Sequence, residues 1–268
     1  MPTPAQTRAT SEPNAAEVLS VRLDLAIEDE QVTFEALVPR APTRPRRLLP
    51  LLQALTEEIV DRAERRIRAE GATVSCKVGC GACCRHLVMV SKTEAHHFRD
   101  LVEAMPEPRR TEVRGRFAEV RRRLQEGGLG ALVRGAKGAD EAKLDPDRIA
   151  GDYFALGIPC PFLEAESCSV HADRPLLCRE YLVTSPSELC KEHPPEQLAR
   201  VPLAARVSES LQALDRRDGD GVGWIPLSVA LQWAEENPDV GRAVPGPDLV
   251  RDLLKTIAPK TRKKRKKR

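Results

Sequence analysis

The sequence predicts a mainly helical protein with small β-hairpins, an irregular α+β fold whose helices pack around cysteine-bearing loops. Three observations carry that reading. Apolar residues recur at helical spacing through most of the chain, strict alternation is confined to one stretch near the start, and eight cysteines fall into two groups flanked by helical segments. At 268 residues the chain can bury an apolar core without help from disulfides.

Residues 1–17 are Pro, Thr, Ala and Glu without a period and read as a disordered terminus. Alternation follows in Val21, Leu23, Leu25 and Ile27, then the turn Glu28-Asp29-Glu30, then Val32, Phe34 and Ala36, which predicts a β-hairpin over 18–38. The stretch 39–47, PRAPTRPRR, reads as a Pro/Arg linker. A helical domain is expected over 48–257. Leu48, Leu52, Leu55, Ile59, Ala63 and Ile67 share one helix face, and Gly71 offers a stop. Ser91 and Glu94 have the spacing of a capping box, opening a helix with Ala95, Phe98 and Leu101 on its apolar face and Pro106 beyond its end. Val113, Phe117, Val120 and Leu124 mark the next helix, closed by Gly127-Gly128. The glycines from 127 to 138 match no phosphate-loop spacing and read as a connection.

Asp145-Pro146 begins a short helix through Tyr153 and Phe154. CPFLEAESCSVH, from Cys160, reads as two short strands around a polar turn, and Arg174-Pro175 opens a helix carrying Cys178. Three further helical patterns follow: Leu203, Val207, Leu211 and Leu214; Leu227, Ala230, Leu231 and Ala234; and Leu249, Leu253 and Leu254. DRRDGDG at 215–221 lacks the alternating acids and closing glutamate of a calcium loop, so it reads as a turn between helices.

The net charge of +3 conceals an asymmetry. The last fourteen residues hold nine Lys or Arg and no acid, leaving 34 basic against 40 acidic residues elsewhere. The basic excess is a tail, read as disordered over 258–268: either a solubilising terminus or a weak, sequence-independent contact for nucleic acid, ribosomes or anionic lipid. No run of apolar residues approaches the roughly 20 of a membrane span, and the start lacks a secretory pattern, so the expected location is cytoplasmic. Thiols are kept reduced there, and clustered cysteines point to metal before disulfides.

The cysteines read Cys76-x3-Cys80-x2-Cys83-Cys84 and Cys160-x7-Cys168-x9-Cys178-x11-Cys190. The first set is short enough to be one chelating loop, with Gly79 and Gly81 freeing the backbone to close by φ above zero. Adjacent Cys83 and Cys84 leave the backbone in different directions and cannot easily share one tetrahedral ion. Two metals follow, or one ligand and one free thiol. Cys160 precedes a proline, as ligands of ferredoxin clusters often do. Arg85, Arg174 and Arg179 stand beside cysteines where they could offset thiolate charge, and Tyr153, Phe154, Phe162 and Tyr181 could wall the site from water. His86, two positions past Cys84, is a candidate ligand or donor. His96 and His97 lie on an amphipathic helix and read as surface and packing.

CKVGCGACCR, followed by CPFL, CSVHADRP and LLCREY, resembles the YkgJ-type cysteine-cluster family of zinc- or iron-chelating domains. The resemblance covers about residues 74–190. It implies a metal-nucleated core with Cys76, Cys80, Cys83, Cys84, Cys160, Cys168 and Cys178 as ligands, and Cys190 as an eighth. His171 stands where a tyrosine is usual, leaving open whether its imidazole is a ligand or a packing substitute. Flagellin lysine N-methylases resemble this domain, which implies one line of chemistry. The spacing of the first three cysteines also matches the radical S-adenosylmethionine loop, but Ala82 replaces the usual aromatic and no βα units follow. A cysteine-protease pairing with His86 or His171 needs one activated thiol, which a group of eight fits poorly.

Two functions are therefore expected in competition. One is an iron–sulfur protein with a redox or group-transfer role on an unidentified protein or small-molecule substrate, with Arg174, Arg179 and Tyr181 near a substrate carboxylate. The other is a zinc-stabilised binding module that contacts nucleic acid through its tail.

Overall fold

The computed structural model describes residues 18–27, 30–133, 145–192, 197–217, 223–239 and 243–257. The N-terminal segment 1–17 and the basic tail 258–268 lie outside these residues, as do parts of the glycine-rich connection and of the 215–221 turn. The fold is mainly α with small antiparallel strand pairs, as the periodicity predicts. No helix among the described residues is long and apolar enough to cross a membrane.

Strands β1 (Val18–Ile27) and β2 (Glu30–Pro39) form the hairpin, in a register that sets Val21 opposite Ala36 and Leu23 opposite Phe34. Because side chains alternate along a strand, Leu19, Val21, Phe34, Ala36 and Val38 share one face. At the hairpin base Leu19, Val21, Phe34 and Val38 pack on the body. The Pro/Arg stretch expected to be a linker is ordered by pairing. Pro42–Thr43 (β3) pairs with Val244–Pro245 (β8), Pro45–Leu48 is a 3₁₀ turn, and Arg44 and Arg46 reach Asp239. Proline and arginine composition alone hides such partners, since they lie some 200 residues away.

Helix α1 (Leu49–Ala69) buries Leu52, Leu55, Ile59, Ala63 and Ile67 on the predicted face and ends where Gly71 takes φ 82°. One side of its N-terminal half joins a core completed by α7 (Val207–Arg217) and α9 (Gly246–Ile257). A second core lies around α2 (Lys92–Glu103) and α3 (Arg109–Glu126), with α5 (Pro146–Ala155) and α8 (Ala230–Glu236) closing it. Phe98, Phe117 and Phe162 meet edge-on or tilted at 5.3–5.7 Å in its centre. β4 (Met89–Ser91) pairs with β7 (Trp224–Pro226) and ties the start of α2 to the chain before α8. The short helix α4 (Gly130–Val133) packs on α3.

The Ser91 capping box forms as predicted: Ser91 Oγ accepts from the Glu94 amide at 3.0 Å, and the Glu94 carboxylate accepts from the Ser91 amide at 2.9 Å. Between the two cores run the cysteine-bearing segments: the loop 76–84, strands β5 (Leu163–Glu164) and β6 (Ser167–Cys168), helix α6 (Leu176–Arg179) and a 3₁₀ turn at Ser187–Lys191.

Candidate metal centre

Local chemistry shapes each cysteine segment before any ligand is considered. In the first loop Gly79 takes φ 85°, the left-handed conformation expected of it. Gly81 serves differently from expectation: its φ lies outside that region, and what it provides is close approach. A Cβ there would sit 2.5 Å from both the Glu166 carbonyl oxygen and Leu163 Cδ1. The loop therefore lies directly against the β5–β6 turn, where Ala165 and Glu166 take φ 46° and 58°.

Glu166 fastens that turn to two other segments. Its carboxylate accepts from Arg85 at 2.6 Å and pairs with Lys191 at 2.6 Å, and these two cations hold its pKa down at about 2. One exposed side chain thus joins the loop of Cys76–Cys84, the strands of Cys168 and the turn of Cys190. A backbone bond from Cys160 N to Cys84 O, at 2.7 Å, closes the same contact from within. Ser75 N donates to Val183 O at 2.9 Å, and the buried His86 ring donates through Nε2 to Cys190 O at 2.8 Å.

Cys178 is positioned from α1 and α2. Glu94 Oε1 accepts from the Leu176 amide at 2.8 Å, so the carboxylate that caps α2 also caps α6. The buried Arg179 donates to the Ala172 and Arg174 carbonyls and pairs with Glu57 of α1, fixing the bend that leads into α6.

The folded chain gathers all eight cysteines. Cys83 lies close enough to Cys76, Cys84, Cys160, Cys168, Cys178 and Cys190 for its charge to raise the pKa of each, and it packs beside Cys80 and Cys190 against Ala82 and Val183. Burial is the main reason the thiols of Cys160 and Cys190 rise to about 12 and that of Cys178 lies well above its ordinary value. The vicinal pair behaves as a unit. A hydrogen bond from Cys84 lowers Cys83 to about 7 and raises Cys84 itself. All eight are free thiols, and among the described residues no three His, Cys, Asp or Glu side chains close on a common point at ligand distance.

Of the three arginines expected to offset thiolate charge, two are committed elsewhere. Arg85 is spent on Glu166, and Arg179 on Glu57 and two carbonyls. Arg174 remains. Its charge lowers the pKa of Cys83 and Cys168, and its buried Nε has no hydrogen-bond partner among the described residues. Among the same residues the buried Tyr181 hydroxyl also lacks one, and burial beside Cys190, Cys83 and Cys76 raises its pKa. Two unsatisfied donors in a ring of soft, ionisable sulfurs is the arrangement expected around metal thiolates, whose sulfurs accept hydrogen bonds. The donor set fits zinc or iron.

The histidines divide. His86 packs between Phe154 and Tyr181 at centroid distances of 5.3 and 5.6 Å. His171 Nε2 accepts from Arg174 at 2.8 Å, so it fills a polar packing position at the edge of the loop. His96 lies against Trp233, and His97 reaches Asp173 at 3.7 Å; neither faces the thiols. A cavity of about 370 Å³ between α3 and residues 159–163 reaches Cys160, lined on the helix side by Glu112, Arg116 and Arg123.

Sequence reasoning missed Glu166 and the second role of Glu94. Glu166 had a weak signal, an acid midway between two cysteines with basic residues beside the others. For Glu94 nothing beyond the capping box was visible, because its second partner is a backbone amide 82 residues away.

Residues 75–199 are similar to the family described as "CxxCxxCC: Putative zinc- or iron-chelating domain", the stretch whose motifs carry the resemblance. The match takes in all eight cysteines, Arg174 and Tyr181. No curated protein and no solved structure matches the chain.

Proposed function

We propose that the eight cysteines bind metal as thiolates, most naturally as iron–sulfur centres, and that the protein uses them in a redox or group-transfer reaction, akin to the lysine N-methylases, on a protein or small-molecule substrate. The observation that carries this is the convergence of thiols from four separate segments on Cys83, beside two buried donor atoms that have no partner among the described residues. A bound iron–sulfur centre would supply one-electron chemistry.

The chain's own residues have separable tasks. Arg174 and Tyr181 would supply hydrogen bonds to metal-bound sulfur, and the Arg174 charge would offset that of the thiolates. Tyr153, Phe154 and Phe162 exclude water, a task that matters for a redox potential and little for structural zinc. Glu94, Arg179 and Glu166 hold the segments in place without contacting a ligand. Cys160-Pro161, and twice the four thiols one zinc needs, support iron–sulfur over zinc. A second reading, closed zinc sites in a module that contacts nucleic acid weakly, draws support from the nine basic residues of the last fourteen.

Anaerobic isolation separates these readings. Brown protein with iron and sulfide in comparable amounts supports the first. Colourless protein with stoichiometric zinc moves the conclusion to the second.

A further inference from the structure

The thiols do not form one undivided group. Cys76, Cys80, Cys83 and Cys190 pack around one small apolar cluster, Ala82, Val183 and Leu198, while Cys160 and Cys168 pack against the core that contains Phe162 and Val170. Cys84 is absent from the first cluster and is bonded through its backbone to Cys160. Electrostatic neighbours divide in the same way. Apart from Cys83, which lies at the boundary, the thiols near enough to act on Cys190 are Cys76 and Cys80, and those near enough to act on Cys178 are Cys160 and Cys168; Cys160 and Cys178 act on Cys84.

Two of the buried donors without a partner among the described residues follow the division. Tyr181 lies beside Cys190, Cys83 and Cys76, and Arg174 beside Cys168 and Cys83. Each set has four sulfurs, the number that one tetrathiolate site takes.

We propose that the chain builds two metal centres: Cys76, Cys80, Cys83 and Cys190 hold the first, Cys84, Cys160, Cys168 and Cys178 hold the second, and the Cys83–Cys84 peptide joins them. This rests on the chelation reading above and deepens it. Neighbouring Cα atoms are about 3.8 Å apart across a trans peptide, so the centres share a wall and the charge of one bears on the other. The adjacent cysteines, awkward for one ion, become the means of placing two centres side by side.

The test is metal and sulfide analysis with native mass spectrometry on the full chain purified without air, comparing wild type with Cys83→Ser, Cys190→Ser, Cys84→Ser and Cys178→Ser. Far-UV circular dichroism identifies any variant that has lost its helices. Cys178 shares the short helix α6 with the buried Leu176 and Arg179, so Cys83→Ser and Cys84→Ser on the loop provide the comparison if Cys178→Ser does not fold. The wild type should carry two metal units. Each variant should keep half, and Cys83→Ser combined with Cys84→Ser should keep none. A distinct spectrum for the unit kept in Cys83→Ser and Cys190→Ser, against that kept in Cys84→Ser and Cys178→Ser, is expected. A single unit in the wild type, lost by every variant, overturns the two-centre assignment while leaving chelation intact. Cys84→Ser matching Cys190→Ser in the unit lost overturns the division of ligands. Metal-free wild type overturns both this assignment and the chelation reading beneath it.

Discussion

Replacing Gly81 by alanine tests whether the cysteine loop and the β5–β6 turn must touch. The new methyl carbon would lie 2.5 Å from the Glu166 carbonyl oxygen and 2.5 Å from Leu163 Cδ1. Leu163 can rotate away, but the carbonyl is backbone, in a turn already at positive φ and fastened by Arg85 and Lys191. Ordinary contact requires the two segments to separate by roughly 1 Å. Overpacking of this kind costs about 1–3 kcal/mol, and an unyielding backbone obstacle places Gly81→Ala near about 2–3 kcal/mol. For a domain of this size that corresponds to a melting temperature lower by about 4–12 °C. Thermal melts followed by circular dichroism should show the drop, with less metal retained per chain. Gly115→Ala is the internal control. Nothing lies within 4 Å of its added carbon in the middle of α3, so it should raise stability by about 0.5–1 kcal/mol. A Gly81→Ala protein that melts within 1 °C of wild type and keeps its metal would refute the contact as a determinant of the site.

Other predictions address the surroundings. Asp215 is buried and accepts from Thr93 N and Oγ1; burial raises its pKa to about 7, against those two hydrogen bonds, with Glu94 adding to the rise and Lys92 opposing it. Between pH 3.8 and about 7 the fold retains a proton that the unfolded chain has released, so this group's contribution is full below pH 3.8 and is lost as pH rises through 7, with a limiting slope of about 1.4 kcal/mol per pH unit. Asp215→Asn should flatten the decline in stability from pH 4 to 7 relative to wild type; an unchanged or steeper decline contradicts the assignment. His96→Ala should leave metal content unchanged, because its ring lies on Trp233 and Arg99, and metal loss equal to that of Cys80→Ser would move it into the site. Deleting residues 259–268 should abolish most nucleic-acid binding, whose salt slope is bounded by roughly 0.7–0.9 per neutralised phosphate, while metal content stays the same. Salt-resistant binding by the truncated protein would place the contact in the body of the chain.

What was legible in the sequence follows the range over which each signal acts. Helix faces and the Ser91 cap depend on neighbours within one or two turns, and Leu52, Ile59, Val113, Phe117 and Leu124 are buried as their spacing requires. The hairpin and the short strands around Glu166 were legible for the same reason. The cysteines announced a chelating site by number and spacing alone. Their division was not legible, because Cys190 joins Cys76 and Cys80 only after the chain has passed through every element from β4 to α6. The arginines mislead in one dimension: adjacency to a cysteine does not reveal that Arg85 turns to Glu166 and Arg179 to Glu57. Pro42–Thr43 hides its strand because its partner is Val244–Pro245.

X-ray absorption at the iron and zinc edges of the full chain, isolated without air, tests the central claim most directly, because it counts the atoms bonded to the metal. Thiolate ligation by the gathered cysteines predicts a first shell made only of sulfur, at about 2.3 Å. A first shell of nitrogen and oxygen, or a preparation with no bound metal and eight free thiols, would contradict the account.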